Sequence, residues 1–294
     1  MMSKNSSIIK KKLEDTYDIP FIVEEKSEYS NPVFNIIPEN SDRELFEINA
    51  KLKNSIRIVI EILPERFSAN AISDMSHATK EKKNIFTQYA RLLNDKKAVI
   101  DFKINNRTAD PYSFDQWPDE WNNYSCRITK TPVTSENETF DPASVVAEWS
   151  TLSAGMFLSL LDVVQTENEE ENSELMPEGG SSTVVLNRYE RNRVNRELCL
   201  SANGYNCMIC GFNFQAKYGS IGEHFIHVHH IVPVSEMKTE YLINPVKDLI
   251  PVCPNCHAML HRVLPPLTPD ELKDIILKEE TADKHNPDCS QRKQ

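Results

Sequence analysis

The sequence predicts an α+β fold, and three observations carry that prediction. Two segments, 55–63 and 97–105, alternate apolar and polar residues with the period of a half-buried strand. Two others, 80–97 and 144–164, space their apolar residues as a helix with a core face does. A further region, 186–262, gathers most of the cysteine and histidine in the chain. With 294 residues the chain is long enough for about two domains of ordinary size.

In SIRIVIEIL (55–63), Ile56, Ile58, Ile60 and Ile62 share one face of the predicted strand. KEKKNIFTQYARLLNDKK (80–97) sets Ile85, Tyr89, Leu92 and Leu93 on one helical stripe. KAVIDFKIN (97–105) returns to alternation, with Val99 and Asp101 opposed to Ile100, Phe102 and Ile104. Trp117 and Trp121 bracket WPDEW, which reads as a packed surface loop, with an aromatic recognition site as the alternative. WNNYSCRITKTPV (121–133) predicts another strand with its turn. The segment 144–164 has enough Leu, Val and Phe for a helix with a core face. These elements form an N-terminal α+β domain, 1–165. The run TENEEENSELMPEGGSS that follows holds six Glu and no aromatic residue, and so cannot bury enough apolar surface to order itself. It marks an acidic linker, 166–183. Six of the seven glycines lie between 179 and 222, on the far side of most of that run. A second domain, 184–264, and a C-terminal helix and tail, 265–294, complete the division.

The net charge of −11 excludes a basic nucleic-acid coat over the whole chain, but its distribution is uneven. Residues 1–183 carry −11, residues 184–264 carry +2, and residues 265–294 carry −2. The positive excess coincides with the Cys and His cluster, where a local cationic surface can meet phosphate. No apolar run approaches the roughly 20 residues that span a bilayer. Seven cysteines, four of them in two CxxC pairs and none behind an export signal, lead us to expect a cytoplasmic protein that ligates metal rather than forming disulfides.

Residues 186–204 read as a helix that Gly204 ends. Cys207-x-x-Cys210 follows at once, and Cys253-x-x-Cys256 comes after a long interval. Two thiolates at that spacing grip one ion from a tight turn, and two such knuckles complete a closed tetrahedral zinc site of the structural type. Cys126, Cys199 and Cys289 lack this spacing and read as ordinary buried or tail cysteines. Six histidines, His224, His227, His229, His230, His257 and His261, lie between or just beyond the knuckles. FIHVHHIVPVS (225–235) reads as a strand, and CPNCHAMLHR (253–262) as the start of a helix whose His257 and His261 share one face. Two imidazoles on one helical face and another from an adjacent strand suit a divalent ion with open positions, which is a catalytic layout.

VHHIVP followed by DLIPVCPNCHAMLH resembles the HNH (ββα-metal) endonucleases, particularly those stapled by a four-cysteine zinc site. The likeness covers 186–262 and is nearest to the C-terminal domains of McrA-type modification-dependent restriction enzymes. It implies that His230 is the general base and that Asp248 orients its ring. It further implies that His229, His257 and His261 hold a catalytic Mg²⁺, Mn²⁺, Ni²⁺ or Zn²⁺, while Cys207, Cys210, Cys253 and Cys256 hold structural zinc. Imidazole ligation favours the transition metals over Mg²⁺. Asp248 departs from the family pattern, which has Asn at this place; Asn255 lies at the wrong spacing to replace it. His224 and His227 read as bystanders. Arg188, Arg191, Arg193 and Arg196 form a helix face that could track a DNA backbone, or else a solvated face paired with Glu190 and Glu197. The resemblance implies a nuclease acting on DNA, modified or not, with no membrane partner. Since one such site cuts one strand, a homodimer is compatible with a double-strand break, though nothing in the sequence demands it. A binding module without activity, and a homing or toxin-type nuclease, are the alternatives. On this resemblance residues 1–165 are expected to select the DNA target.

Overall fold

The structure, a computed structural model, describes residues 3–28, 31–39, 44–133, 141–161, 193–231, 243–263 and 265–284. The chain divides into two compact units, Met1–Leu198 with Leu242–Asn244, and Cys199–Tyr241 with Pro245–Gln294. The expected acidic linker, 166–183, lies outside the described residues, as do Arg188, Arg191 and the first part of the expected helix 186–204.

The first unit is built on an antiparallel sheet. Its strands are β1 (Phe21–Glu28), β2 (Asn31–Pro38), β3 (Phe46–Lys53), β4 (Arg57–Pro64), β5 (Val99–Ile104), β6 (Arg107–Thr108) and β7 (Tyr124–Lys130). They run in the spatial order β1-β2-β3-β4-β7-β5-β6. The alternation read from the sequence is the alternation of this sheet: Ile58, Ile60 and Ile62 are fully buried. Ile56, expected on the same face, is 55% exposed because it falls in the β3–β4 connection. There Asn54 and Ser55 take left-handed φ values of 52° and 56°. Asn105 and Asn106, at φ 53° and 62°, make the two-residue turn that joins β5 to β6. On the face away from the core, Glu24, Asn35, Asn49, Glu61, Arg127 and Asp101 are register neighbours in one polar row.

Helices α1 (Lys4–Tyr17), α2 (Ala69–Ser76), α3 (Lys80–Asp95) and α4 (Pro142–Leu158) belong to the same unit. Helix α4 packs on β3 and β4, with α1 and α3 against it. Asp141 caps it by accepting from the Ser144 amide, and Pro142 supplies a preset φ in its first turn. The helix therefore begins two residues ahead of the expected 144 and ends at Leu158, short of the expected 164. From Trp149 to Leu158 every residue is buried, so the C-terminal part of α4 is enclosed on all sides, whereas Ser144 and Glu148 nearer its start are exposed. Phe86, Phe102, Trp117 and Phe157 meet edge to face at centroid separations of 5.1–6.2 Å. Trp117 and Trp121 are buried in this cluster and donate from their indole nitrogens to Asp110 and Pro118 carbonyls. The WPDEW segment is thus the packed loop.

At Gly155, α4 makes room for two fully buried tyrosines. Tyr17 donates to the Thr151 carbonyl at 2.7 Å and Tyr89 to the Val194 carbonyl at 2.9 Å, which satisfies both hydroxyls. A Cβ at Gly155 would stand 2.6 Å from Cζ and Oη of Tyr89 and would collide with the Tyr17 hydroxyl. Alanine ordinarily favours a helix by about 1 kcal/mol over glycine. Here overpacking reverses the sign, and Gly155→Ala is expected to destabilise the protein by about 1–3 kcal/mol in a denaturant titration.

The second unit begins within α5 (Arg193–Asn203), at Cys199. It continues through α6 (Phe214–Tyr218), β8 (His227–His230), β9 (Leu249–Val252), α7 (Pro254–Leu260) and α8 (Pro269–Lys284). Strands β8 and β9 pair antiparallel and lead into α7, a ββα arrangement. Its core gathers Cys199, Leu200, Ile209, Ile226, Val228, Leu249, Val252, Leu260 and Leu272 together with three of the knuckle cysteines. Among the described residues, no helix is long and apolar enough to cross a membrane.

Candidate metal centres and nuclease site

Local backbone chemistry builds the first knuckle. Gly204, at φ +75°, ends α5 as expected, its amide donating to the Leu200 carbonyl at 2.8 Å. Cys207 then starts a tight turn in which its amide donates to the Phe212 carbonyl. The Gly211 amide donates back to the Cys207 carbonyl, with Gly211 at φ +74°. The Met208 amide, donating to the Pro251 carbonyl at 2.9 Å, ties this turn to β9. Strand β9 runs directly into Cys253, the N-cap of α7, whose sulfur accepts from the Cys256 amide.

The turn and the helix start bring Cys207, Cys210, Cys253 and Cys256 together, with all four sulfurs within 4.8 Å of one another. Cys210 Sγ lies 3.8 Å from Cys253 Sγ. A tetrahedral site with bonds of about 2.3 Å has an edge of about 3.8 Å, which the Cys210–Cys253 separation matches, so the set could hold zinc. Burial pushes the Cys256 thiol up. At Cys207 burial acts in the same direction, but the amides of Cys210, Cys253 and Ile209 outweigh it and lower the thiol below its ordinary value. Backbone donors of this kind favour a thiolate before any ion arrives.

The histidines are placed by strand register and helix period. Opposite Leu249, Ile250 and Val252 of β9 stand His230, His229 and His227 of β8. Alternation puts His227 and His229 on one face and His230 on the other. His257 lies in α7 and His261 caps its C-terminus, one turn later. The rings of His229, His257 and His261 form a near-equilateral triangle, with centroids 5.0–5.2 Å apart. One nitrogen from each lies within 4.8 Å of the others. Three imidazoles with one nitrogen each in the cluster, and no fourth ligand in that set among the described residues, fit a divalent ion that keeps positions for water and substrate.

His230 is buried at 3% exposure, and Asp248 directly precedes Leu249, its register partner. The Ile231 amide donates to the Asp248 carbonyl at 2.9 Å, which holds the two residues at neighbouring strand ends. Arg193 pairs with Asp18 at 3.3 Å within the first unit, and Arg196 is partly buried. His224, at φ +58°, sets its ring 4.8 Å from that of Tyr205. His227, read from the sequence as a bystander, instead contacts His257, with the two Nδ1 atoms 3.0 Å apart. Its spacing of two from His229 puts both on one strand face, but the strand pairing that sets it beside His257 has no local signal.

A ββα unit with a four-thiolate cluster and a triangle of imidazoles is an arrangement that could hold metal ions at two places. Residues 207–262 match the HNH endonuclease family, so the C-terminal unit carries an HNH domain, which supports a nuclease or DNA-binding role. No curated protein and no solved structure matches the chain.

Proposed function

We propose that the protein is a metal-dependent DNA endonuclease of restriction or phage-defence type, whose N-terminal domain selects the DNA to be cut. The observation that carries this reading is the His229, His257 and His261 triangle on the HNH ββα unit. A zinc-stapled binding module has no need of it.

In this reading His230 takes the proton of the attacking water as the general base. Asp248, held at the neighbouring strand end, is the residue that would orient the His230 ring. His229, His257 and His261 hold a divalent ion. When bound, that ion supplies positive charge for the phosphate and the departing 3′ oxygen. Cys207, Cys210, Cys253 and Cys256 hold structural zinc and so fix the start of α7, on which His257 stands. The sequence resemblance to McrA-type enzymes makes modified DNA the first substrate to try.

The test is a panel of supercoiled plasmids carrying unmodified, methylated or hydroxymethylated cytosine, or phosphorothioate linkages, incubated with the protein and Mg²⁺, Mn²⁺ or Ni²⁺. Cleavage confined to one modification is expected. Equal cleavage of every plasmid would remove target selection from the reading, and binding without cleavage in any metal would remove the nuclease.

A further inference from the structure

His227 shares a face of β8 with His229 and touches His257, yet it belongs neither to the metal set nor, as His230 does, to the proposed proton transfer. Its place is fixed by the backbone: it pairs with Val252, the residue immediately before Cys253, and His257 lies one turn into the helix that Cys253 caps. The two Nδ1 atoms are 3.0 Å apart and the rings are nearly perpendicular, at 88°. Two ring nitrogens at this distance share a single proton, so one donates and the other accepts.

The donor can be assigned from the chemistry of the site. Nε2 of His257 is shielded from solvent, whereas His227 is exposed. An imidazole that gives the Nε2 lone pair to a cation carries its proton on Nδ1. His257 then donates and His227 accepts. Imidazoles that hold metals are ordinarily oriented by an acceptor on their second nitrogen, and a carboxylate is a common choice. A neutral imidazole does the same without adding negative charge, and so leaves more of the cation's charge for phosphate.

We propose that His227 is a positioning residue for the divalent-ion site: it fixes the tautomer and ring orientation of His257 without ligating the ion. The inference rests on the reading of His229, His257 and His261 as an ion site.

The test measures ion binding rather than cleavage. Full-length protein, zinc-loaded at its cysteines, is titrated with Ni²⁺ by calorimetry, with zinc content measured before and after. Wild type is expected to take one Ni²⁺ per chain. His227→Ala should weaken that binding by about 10–100-fold, the usual effect of removing such a partner, with zinc content and melting temperature unchanged. His227→Gln, whose amide oxygen accepts the same N–H, should bind within a few-fold of wild type. Wild-type affinity in His227→Ala would overturn the inference. So would a His227→Gln variant as weak as His227→Ala, since the ring itself would then be a ligand. If wild-type protein takes no Ni²⁺ at all, the ion site itself fails, and the proposed function with it.

Discussion

Cys210→Ser is expected to release one zinc per chain and to unfold the C-terminal unit. Strands β8 and β9 are four residues each, and the core they help to form depends on Cys207, Cys253 and Cys256 as members. An apolar cluster of that size does not hold a fold by itself, and small domains make up the deficit with metal. Binding energy at a structural zinc is at the same time folding energy, about 10–16 kcal/mol in zinc-finger peptides. Cys210 is the exposed member of the four, so serine there removes a ligand with little effect on packing. Zinc content by elemental mass spectrometry and a thermal melt of the same sample provide the readout. Unchanged zinc stoichiometry would contradict the shared four-thiolate site.

The second large effect is on catalysis. His230→Ala is expected to lower cleavage by ~10²–10⁴-fold, the range for removing a positioned acid–base group, while zinc content and DNA affinity are kept. Because His230 is only 3% exposed, alanine also leaves a cavity. His230→Gln, closer in volume and unable to act as a base near neutral pH, separates the two effects: both variants should be inactive, and the glutamine variant should keep the wild-type melting temperature. Asp248→Asn addresses the departure from the family pattern. If Asp248 only accepts the ring N–H, the amide oxygen serves equally and activity survives. If its negative charge is itself required, activity falls although zinc content is kept. Wild-type cleavage by His230→Ala would sink the assignment of the base.

Much of the site was legible because its chemistry is local in sequence. A CxxC turn needs only the residues between its cysteines, and His257 and His261 meet through a single helical turn. The His227–His257 contact was not legible. It depends on which residue of β9 stands opposite His227, and register is set by the whole strand pair. The first unit shows the same divide. Strand β4 declared itself through Ile58, Ile60 and Ile62, and β5 through Phe102 and Ile104. Strand β2 reads NPVFNIIP, with a proline near each end and burial on adjacent positions Val33 and Phe34, so no clean alternation announces it. The sheet order, with β7 between β4 and β5, has no local signature.

In the proposed function His229, His257 and His261 form the ion site of a phosphodiesterase. Its most direct measurement is relaxation of a susceptible supercoiled plasmid by zinc-loaded wild type and His257→Ala, each with and without added Ni²⁺ or Mn²⁺. Wild type should cut only when the second ion is present, and His257→Ala should stay inactive in every metal while retaining its one zinc per chain. Cleavage by His257→Ala at the wild-type rate would contradict the claim.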